Sequence, residues 1–182
     1  MTTLGRSKSA LLVIDVQNQV VEGAYNKYAV ISQINSAVDR ARGAGVPVIW
    51  VQHSDDWMPI GSEDWKIVPE LSPAEDEVRV GKLYRNSFEA TDLESLLSGL
   101  DIGHVFVCGA QTNNCVRFTS QGAIDRGYDV TLLVDAHTTT DYPYGDGVVP
   151  AEVLVRDLNA SFSDLELPGR KSEARTVAEA FD

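Results

Sequence analysis

Basic residues are scarce in this chain: 15 Lys and Arg stand against 27 Asp and Glu, a formal charge of −12. Nucleic acid and anionic membrane surfaces are gripped by clustered Lys and Arg, so neither is expected as a partner, and a small molecule is the default. Cysteine is scarcer still. With only Cys108 and Cys115 among 182 residues there is no disulfide framework, and both are expected as free thiols of a reduced, cytoplasmic protein. No apolar run reaches the ~18 residues that a membrane span requires, and the N-terminus lacks the basic-then-apolar layout of a secretory leader. Repeats, low-complexity tracts and linker-like stretches are missing as well. Residues 1–182 therefore read as a single domain, and 43% hydrophobic residues suffice for a substantial core.

What is present is an alternation of short apolar strands and amphipathic helices. Ala10-Leu11-Leu12-Val13-Ile14 is apolar at every position, as a strand covered on both faces must be, and it stops at Asp15. Residues 28–42 place Tyr28, Ile31, Ile34, Ala37, Val38 and Ala41 at helical spacing, with Gly43 and Gly45 as stops. Val48 to His53 is a second buried strand, followed by a long loop over residues 54–72, of a length that is usually functional. A third strand over 77–80 meets Gly81-Lys82, and Thr91 or Asp92 caps a short helix through Leu93, Leu96 and Leu97. Strands are then expected at 105–108 and 129–134, and helices at 114–126 and 150–158. A last short strand is expected at 160–163 and a polar helix from Glu173, with residues 1–9 as a frayed end.

This alternation predicts an α/β/α sandwich around a parallel sheet, a fold in which ligands collect beyond the carboxyl ends of the strands. Asp15, His53, Lys82, the turn before Cys115, and the run from Asp135 to His137 all fall at such ends. Cys115 opens a helix, where unpaired N–H groups and the helix dipole favour a thiolate and then an oxyanion. It is a candidate nucleophile, although a free cysteine is also a common small core residue. Each of the others has its own bland reading: Asp15 as a turn former, Lys82 as a solvated lysine, His137 as a loop histidine. Cys108, inside the apolar run, reads as core.

Four motifs together resemble the isochorismatase-like cysteine hydrolases, a family that includes nicotinamidases, small-molecule amidohydrolases and isochorismatases. They are Leu12-Val13-Ile14-Asp15-Val16-Gln17; Gly81-Lys82 with Arg85-Asn86-Ser87-Phe88 and Thr91-Asp92-Leu93; Gly109-Ala110-Gln111-Thr112-Asn113-Asn114-Cys115-Val116; and Asp135-Ala136-His137. The resemblance runs over roughly residues 10–159. It implies a three-layer sandwich with a six-stranded parallel sheet and an Asp15, Lys82, Cys115 catalytic triad. It also implies a non-proline cis peptide at Ala110–Gln111 that sets the backbone N–H groups of Gln111 and Cys115 as an oxyanion hole. A homo-oligomer, dimer or tetramer, is implied too.

In such a triad Lys82 and the helix end favour the thiolate, whereas an ionised Asp15 opposes it and is better placed to take the thiol proton and hand it to the leaving amine. Attack would give a tetrahedral oxyanion and then a thioester. Candidates for substrate contact are Gln17, Trp57, Trp65, Tyr84 and His137. The nicotinamidase branch carries a metal site after the second strand, but here His53 is followed by Ser54-Asp55-Asp56 with no second histidine, so no metal and no cofactor are expected. The expected activity is hydrolysis of a small amide, ureide or lactam C–N bond. The alternatives are vinyl ether hydrolysis of the isochorismatase type, or a member that has lost activity. The loop over 54–72 holds Lys66 against Asp55, Asp56, Glu63, Asp64 and Glu70, a balance that favours a neutral or cationic substrate.

Overall fold

A computed structural model describes residues 2–181. Nine strands and four α-helices are present among them: β1 (Lys8–Ile14), α1 (Lys27–Gly43), β2 (Val48–His53), β3 (Val78–Lys82), α2 (Leu93–Gly99), β4 (Ile102–Ala110), α3 (Arg117–Asp125), β5 (Asp129–Thr138), β6 (Tyr142–Tyr144), β7 (Gly147–Val149), α4 (Ala151–Phe162), β8 (Glu166–Leu167) and β9 (Arg170–Arg175). The main sheet runs β3-β2-β1-β4-β5-β9-β8, and β6 and β7 form a separate hairpin. Every pairing from β3 to β9 is parallel, so the six parallel strands are there. The two-residue β8, antiparallel to β9, adds a seventh at the edge.

The strands read as continuous apolar runs because both faces are covered. Leu11, Val13, Trp50, Phe106 and Cys108 face one layer, with Ile31, Ile34, Ala37, Val38 and Ala41 of α1. Leu12, Ile14, Ile49, Val51, Val105 and Val107 face the other, with side chains of α2, α3 and α4. The site-bearing strands β1 and β4 are thus central and neighbours. No helix among the described residues is long and apolar enough to cross a membrane.

Four expectations are corrected. Residues 160–163 do not form a strand: α4 runs on to Phe162, because Leu158 and Phe162, one helical turn apart, are both buried against the sheet. Glu173 lies in β9 rather than in a helix, and the chain then closes with a short 3₁₀ turn, Val177–Glu179. This strand is polar because it sits near the sheet edge, with only Ser172 fully inside. Of the expected frayed end, Met1 lies outside the described residues, but residues 2–9 are fixed. The Thr3 hydroxyl donates to the Gly127 carbonyl at 3.2 Å, Arg6 to the Tyr128 hydroxyl at 2.9 Å, and the Lys8 N–H to the Asp101 carbonyl at 3.1 Å. Finally, Tyr28 is 75% exposed, and the buried face of α1 begins at Val30 and Ile31.

Candidate active site

Asp15, His53, Lys82 and the segment after β4 do meet beyond the carboxyl ends of β1, β2, β3 and β4. The approach of β4 to β1 is what permits it. Ile14 pairs with Gly109, and a Cβ at Gly109 would lie 2.0 Å from the Ile14 carbonyl oxygen; φ there is +119°. Only glycine fits. Immediately beyond, Asp15 has φ 49°, a left-handed conformation that aspartate tolerates better than most residues, and its N–H donates to the Val51 carbonyl at 2.9 Å.

The helix expected from residue 114 begins later. The Ala110–Gln111 peptide is cis, residues Thr112–Val116 form a π turn in which Asn114 departs from helical geometry, and α3 starts at Arg117. The N–H groups of Asn114 and Val116 both close on the Gln111 carbonyl, at 3.0 and 3.2 Å. Those of Gln111 and Cys115 make none of the turn or loop bonds among the described residues. Side chains pin the turn from outside: Thr112 to His137 at 2.9 Å, Thr139 to Asn113 at 2.7 Å, and Gln111 to the Val20 carbonyl at 3.4 Å.

At the centre lies a buried ion pair. Lys82 Nζ is 2.7 Å from Asp15 Oδ2, with both side chains at most 1% exposed. The same ammonium is 3.2 Å from Cys115 Sγ and 3.2 Å from the Tyr84 carbonyl. No backbone N–H reaches either Asp15 oxygen, and the thiol lies against this carboxylate. The acid is therefore not held ionised by amide donors: burial raises its pKa above the ordinary carboxylate value, offset in part by Lys82 and by the thiol.

Among the opposing influences on the thiol, those that keep it protonated outweigh Lys82. Burial, and after it the Asp15 charge, push Cys115 up to about 12, although Lys82 pulls the other way. The resting thiol is neutral, and a base must remove its proton as it reacts. Cys108, wholly buried and with its thiol towards the Leu12 carbonyl, is pushed up by burial alone and has no base beside it.

A cavity of about 340 Å³ opens over Cys115 and Asp15, at the small end of the range for ligand sites. Its walls come from His53, Asp55, Trp57 and Met58 of the β2 end and loop, from Gln19 and Val20 after β1, from Gln111 and Asn114, and from Arg85. The long loop is not loose. Gln17 bridges to Ile67, the Asn18 N–H donates to the Lys66 carbonyl at 3.0 Å, and the Val68 N–H to the Val16 carbonyl at 3.1 Å.

Of the five candidates for substrate contact, only Trp57, 85% exposed, lines this cavity. Gln17 is fully buried and its amide is spent on backbone: it donates to the carbonyls of His53 and Trp65 at 2.9 and 2.8 Å and accepts from the His53 N–H at 2.8 Å. Trp65 is half-buried in the stitched loop, and Tyr84 is exposed outside the cavity. His137 is buried between Thr112 and Asn159, supporting the nucleophile turn from behind. Burial holds its pKa down at about 4.

The residues that sequence reasoning missed are Gln19, Val20, Asp55, Met58, Arg85 and Asn114. Arg85 was visible inside a quoted motif, but its direction was not. His53 Nε2 lies 3.3 Å from Asp55 Oδ2, whose Oδ1 accepts from the N–H groups of Trp57 and Met58 at 2.9 and 2.8 Å. No group of three His, Cys, Asp or Glu converges in metal-binding fashion among the described residues. A larger groove, about 580 Å³, lies at the opposite, amino ends of the strands beside Ser9, His104 and Asp129. It contains no cysteine, and the His104 ring is already taken up by Ser9 and Thr131 at 3.1 and 2.8 Å.

Residues 9–145 match the model of the isochorismatase domain family. A streptothricin hydrolase of Streptomyces noursei is 30% identical over 168 residues, covering 87% of this chain and 67% of that one. The ureidoacrylate amidohydrolase RutB of Klebsiella variicola (strain At-22) is 28% identical over 176 residues, covering 74% and 75%. A cysteine hydrolase from Pseudomonas syringae pv. phaseolicola 1448A superposes with a TM-score of 0.85 at 26% identity, covering 96% of this chain and 91% of that one.

Proposed function

This chain belongs to the isochorismatase family of hydrolases, and from that premise we propose that it cleaves a C–N bond of a small amide, ureide or lactam through a thioester on Cys115. The observation that carries the reading is one buried ammonium shared by a carboxylate and a thiol that both line the cavity: Lys82 Nζ is 2.7 Å from Asp15 and 3.2 Å from Cys115 Sγ.

The chemistry follows from the protonation states. Asp15, raised by burial and lacking amide donors, accepts the thiol proton as Sγ bonds to the substrate carbonyl carbon. At that moment the negative charge leaves the carboxylate for the sulfur. Lys82 is within reach of both atoms, so its charge stays paired throughout, and no lone ion is left in a low-dielectric pocket. The carbonyl electrons move onto oxygen, which the N–H groups of Gln111 and Cys115 receive. The oxyanion collapses, the C–N bond breaks, and Asp15 returns the proton to the departing nitrogen. Water then gives its proton to Asp15 and attacks the thioester; collapse releases the acid, and the sulfur regains its proton.

One relative is named a ureidoacrylate amidohydrolase, which supports C–N cleavage over the vinyl ether reaction. So does a thiol held in contact with its base, for which vinyl ether cleavage has no use. The test is ammonia or acid release from a panel of primary amides, cyclic ureides, biuret-like compounds and lactams, by the protein and by Cys115→Ala. Release by the protein and only trace release by the variant, with the same melting curve, is expected. Undiminished turnover by Cys115→Ala removes the nucleophile from the account.

A further inference from the structure

Among the described residues, the cavity carries one cation that no polar group answers. Lys82 is paired with Asp15. The Asp55 carboxylate is taken up by His53 and by two backbone N–H groups. Arg85 lines the same cavity as Cys115, yet among the described residues no carboxylate, carbonyl or hydroxyl accepts from its guanidinium; its one contact is the Phe118 ring, 5.7 Å from Cζ to centroid. That ring is 44% exposed. A guanidinium over an aromatic face is held in orientation with its N–H donors still available, and their planar fork matches a carboxylate.

We propose that the site selects substrates bearing a carboxylate remote from the scissile carbonyl, and that Arg85 is the residue that selects them. The inference rests on the C–N hydrolase reading and narrows it. In a protein of net charge −12 an anionic substrate is disfavoured at long range, so a local cation at the mouth is needed to admit one. The acidic balance of the loop over 54–72, which pointed to a neutral or cationic substrate, is mostly not carried into the site itself. Asp55 is already engaged, Asp56, Glu63, Asp64 and Glu70 do not line the cavity, and Arg85 enters from the segment after β3. The volume of about 340 Å³ suits a compact ω-amido or ω-ureido acid.

The test compares isosteric pairs that differ in one charge: malonamate with malonamide, and succinamate with succinamide. Two readouts are taken on the protein, on Arg85→Gln and on Arg85→Lys: ammonia release, and protection of Cys115 from iodoacetamide followed by peptide mass. The expected result is a kcat/KM preference for the acid of about 10- to 100-fold, as a charge-assisted contact supplies. It is expressed chiefly in KM, collapses below about 3-fold in Arg85→Gln and is partly kept in Arg85→Lys. Equal kcat/KM within each pair, or a preference that survives Arg85→Gln, overturns the proposal. If none of these amides and no member of the wider panel is turned over, the hydrolase reading fails, and protection still decides the role of Arg85. Protection by the acids alone, lost in Arg85→Gln, supports it; equal protection by acid and amide overturns it.

Discussion

Lowering the pH from 7 to 4.5 is expected to weaken the fold through one side chain, His137. Its Nε2 is 2.7 Å from Asn159 Oδ1 and its Nδ1 is 2.9 Å from the Thr112 hydroxyl. Asn159 Oδ1 is an acceptor, so Nε2 carries the proton and Nδ1 accepts from Thr112. The neutral ring satisfies both partners, and protonation would set a second N–H against a hydroxyl hydrogen in a site with 1% exposure. Burial lowers the pKa from 6.5 to about 4. Between these values the unfolded chain holds more protons than the folded one, so stability falls as acid is added. The full loss across the window is about 3 kcal/mol, of which about 2 has gone by pH 4.5. Urea unfolding at pH 7 and 4.5, on the protein and on His137→Gln, isolates it. The variant lacks the titration but can keep both hydrogen bonds, and taking the difference of differences removes other groups, including Asp15, whose raised pKa acts in the opposite sense. The protein should lose about 2 kcal/mol more than the variant between the two pH values. Parallel losses would show that His137 ionises freely in the fold and refute its placing.

Lys82→Met should remove the charge that passes between carboxylate and thiol. Breaking a buried pair costs about 3–5 kcal/mol where the remaining ion stays charged, so urea titration should show a large loss, lessened by proton uptake at Asp15. Turnover should fall at least ~100-fold, and iodoacetamide labelling of Cys115 should shift to higher pH; an unmoved labelling profile would take Lys82 out of the triad. Gly109→Ala places a Cβ 2.0 Å from a backbone oxygen that cannot yield, so expression should give insoluble protein or a melting point lowered by many degrees. Gly61→Ala, with positive φ but open space around it, should cost only about 1–2 kcal/mol. Similar melting curves for the two would contradict the close approach of β4 to β1.

The layers were legible because Ala10 to Ile14 and Val48 to Val51 are apolar at every position, which only a sheet covered on both faces explains. The strand β9 was not, since Arg170–Arg175 is polar and reveals itself only by what it pairs with. The fixed N-terminal segment escaped for a related reason: hydrogen bonds such as Arg6 to Tyr128 leave no periodicity. At the site, Asp15, Lys82 and Cys115 were readable because strand ends in a parallel sheet converge by topology. The walls were not, because loop direction decides them. Gln17 and His137 share motifs with site residues yet turn inward to hold backbone and turn, whereas Arg85 turns to the cavity. The balance of influences on the thiol was left open because sequence displays charges and hides burial, and burial is the largest effect on Cys115.

The central claim is that an acyl group passes through Cys115. Adding hydroxylamine during turnover of a primary amide that the panel yields as a substrate tests this most directly, because it competes with water only for an acyl-enzyme. The account predicts that hydroxamate appears at the expense of acid while ammonia release keeps its rate or rises, and that Cys115→Ala makes none of the three. Acid as the sole acyl product at every hydroxylamine concentration, with ammonia still released, would mean that water attacks the substrate directly and would contradict it.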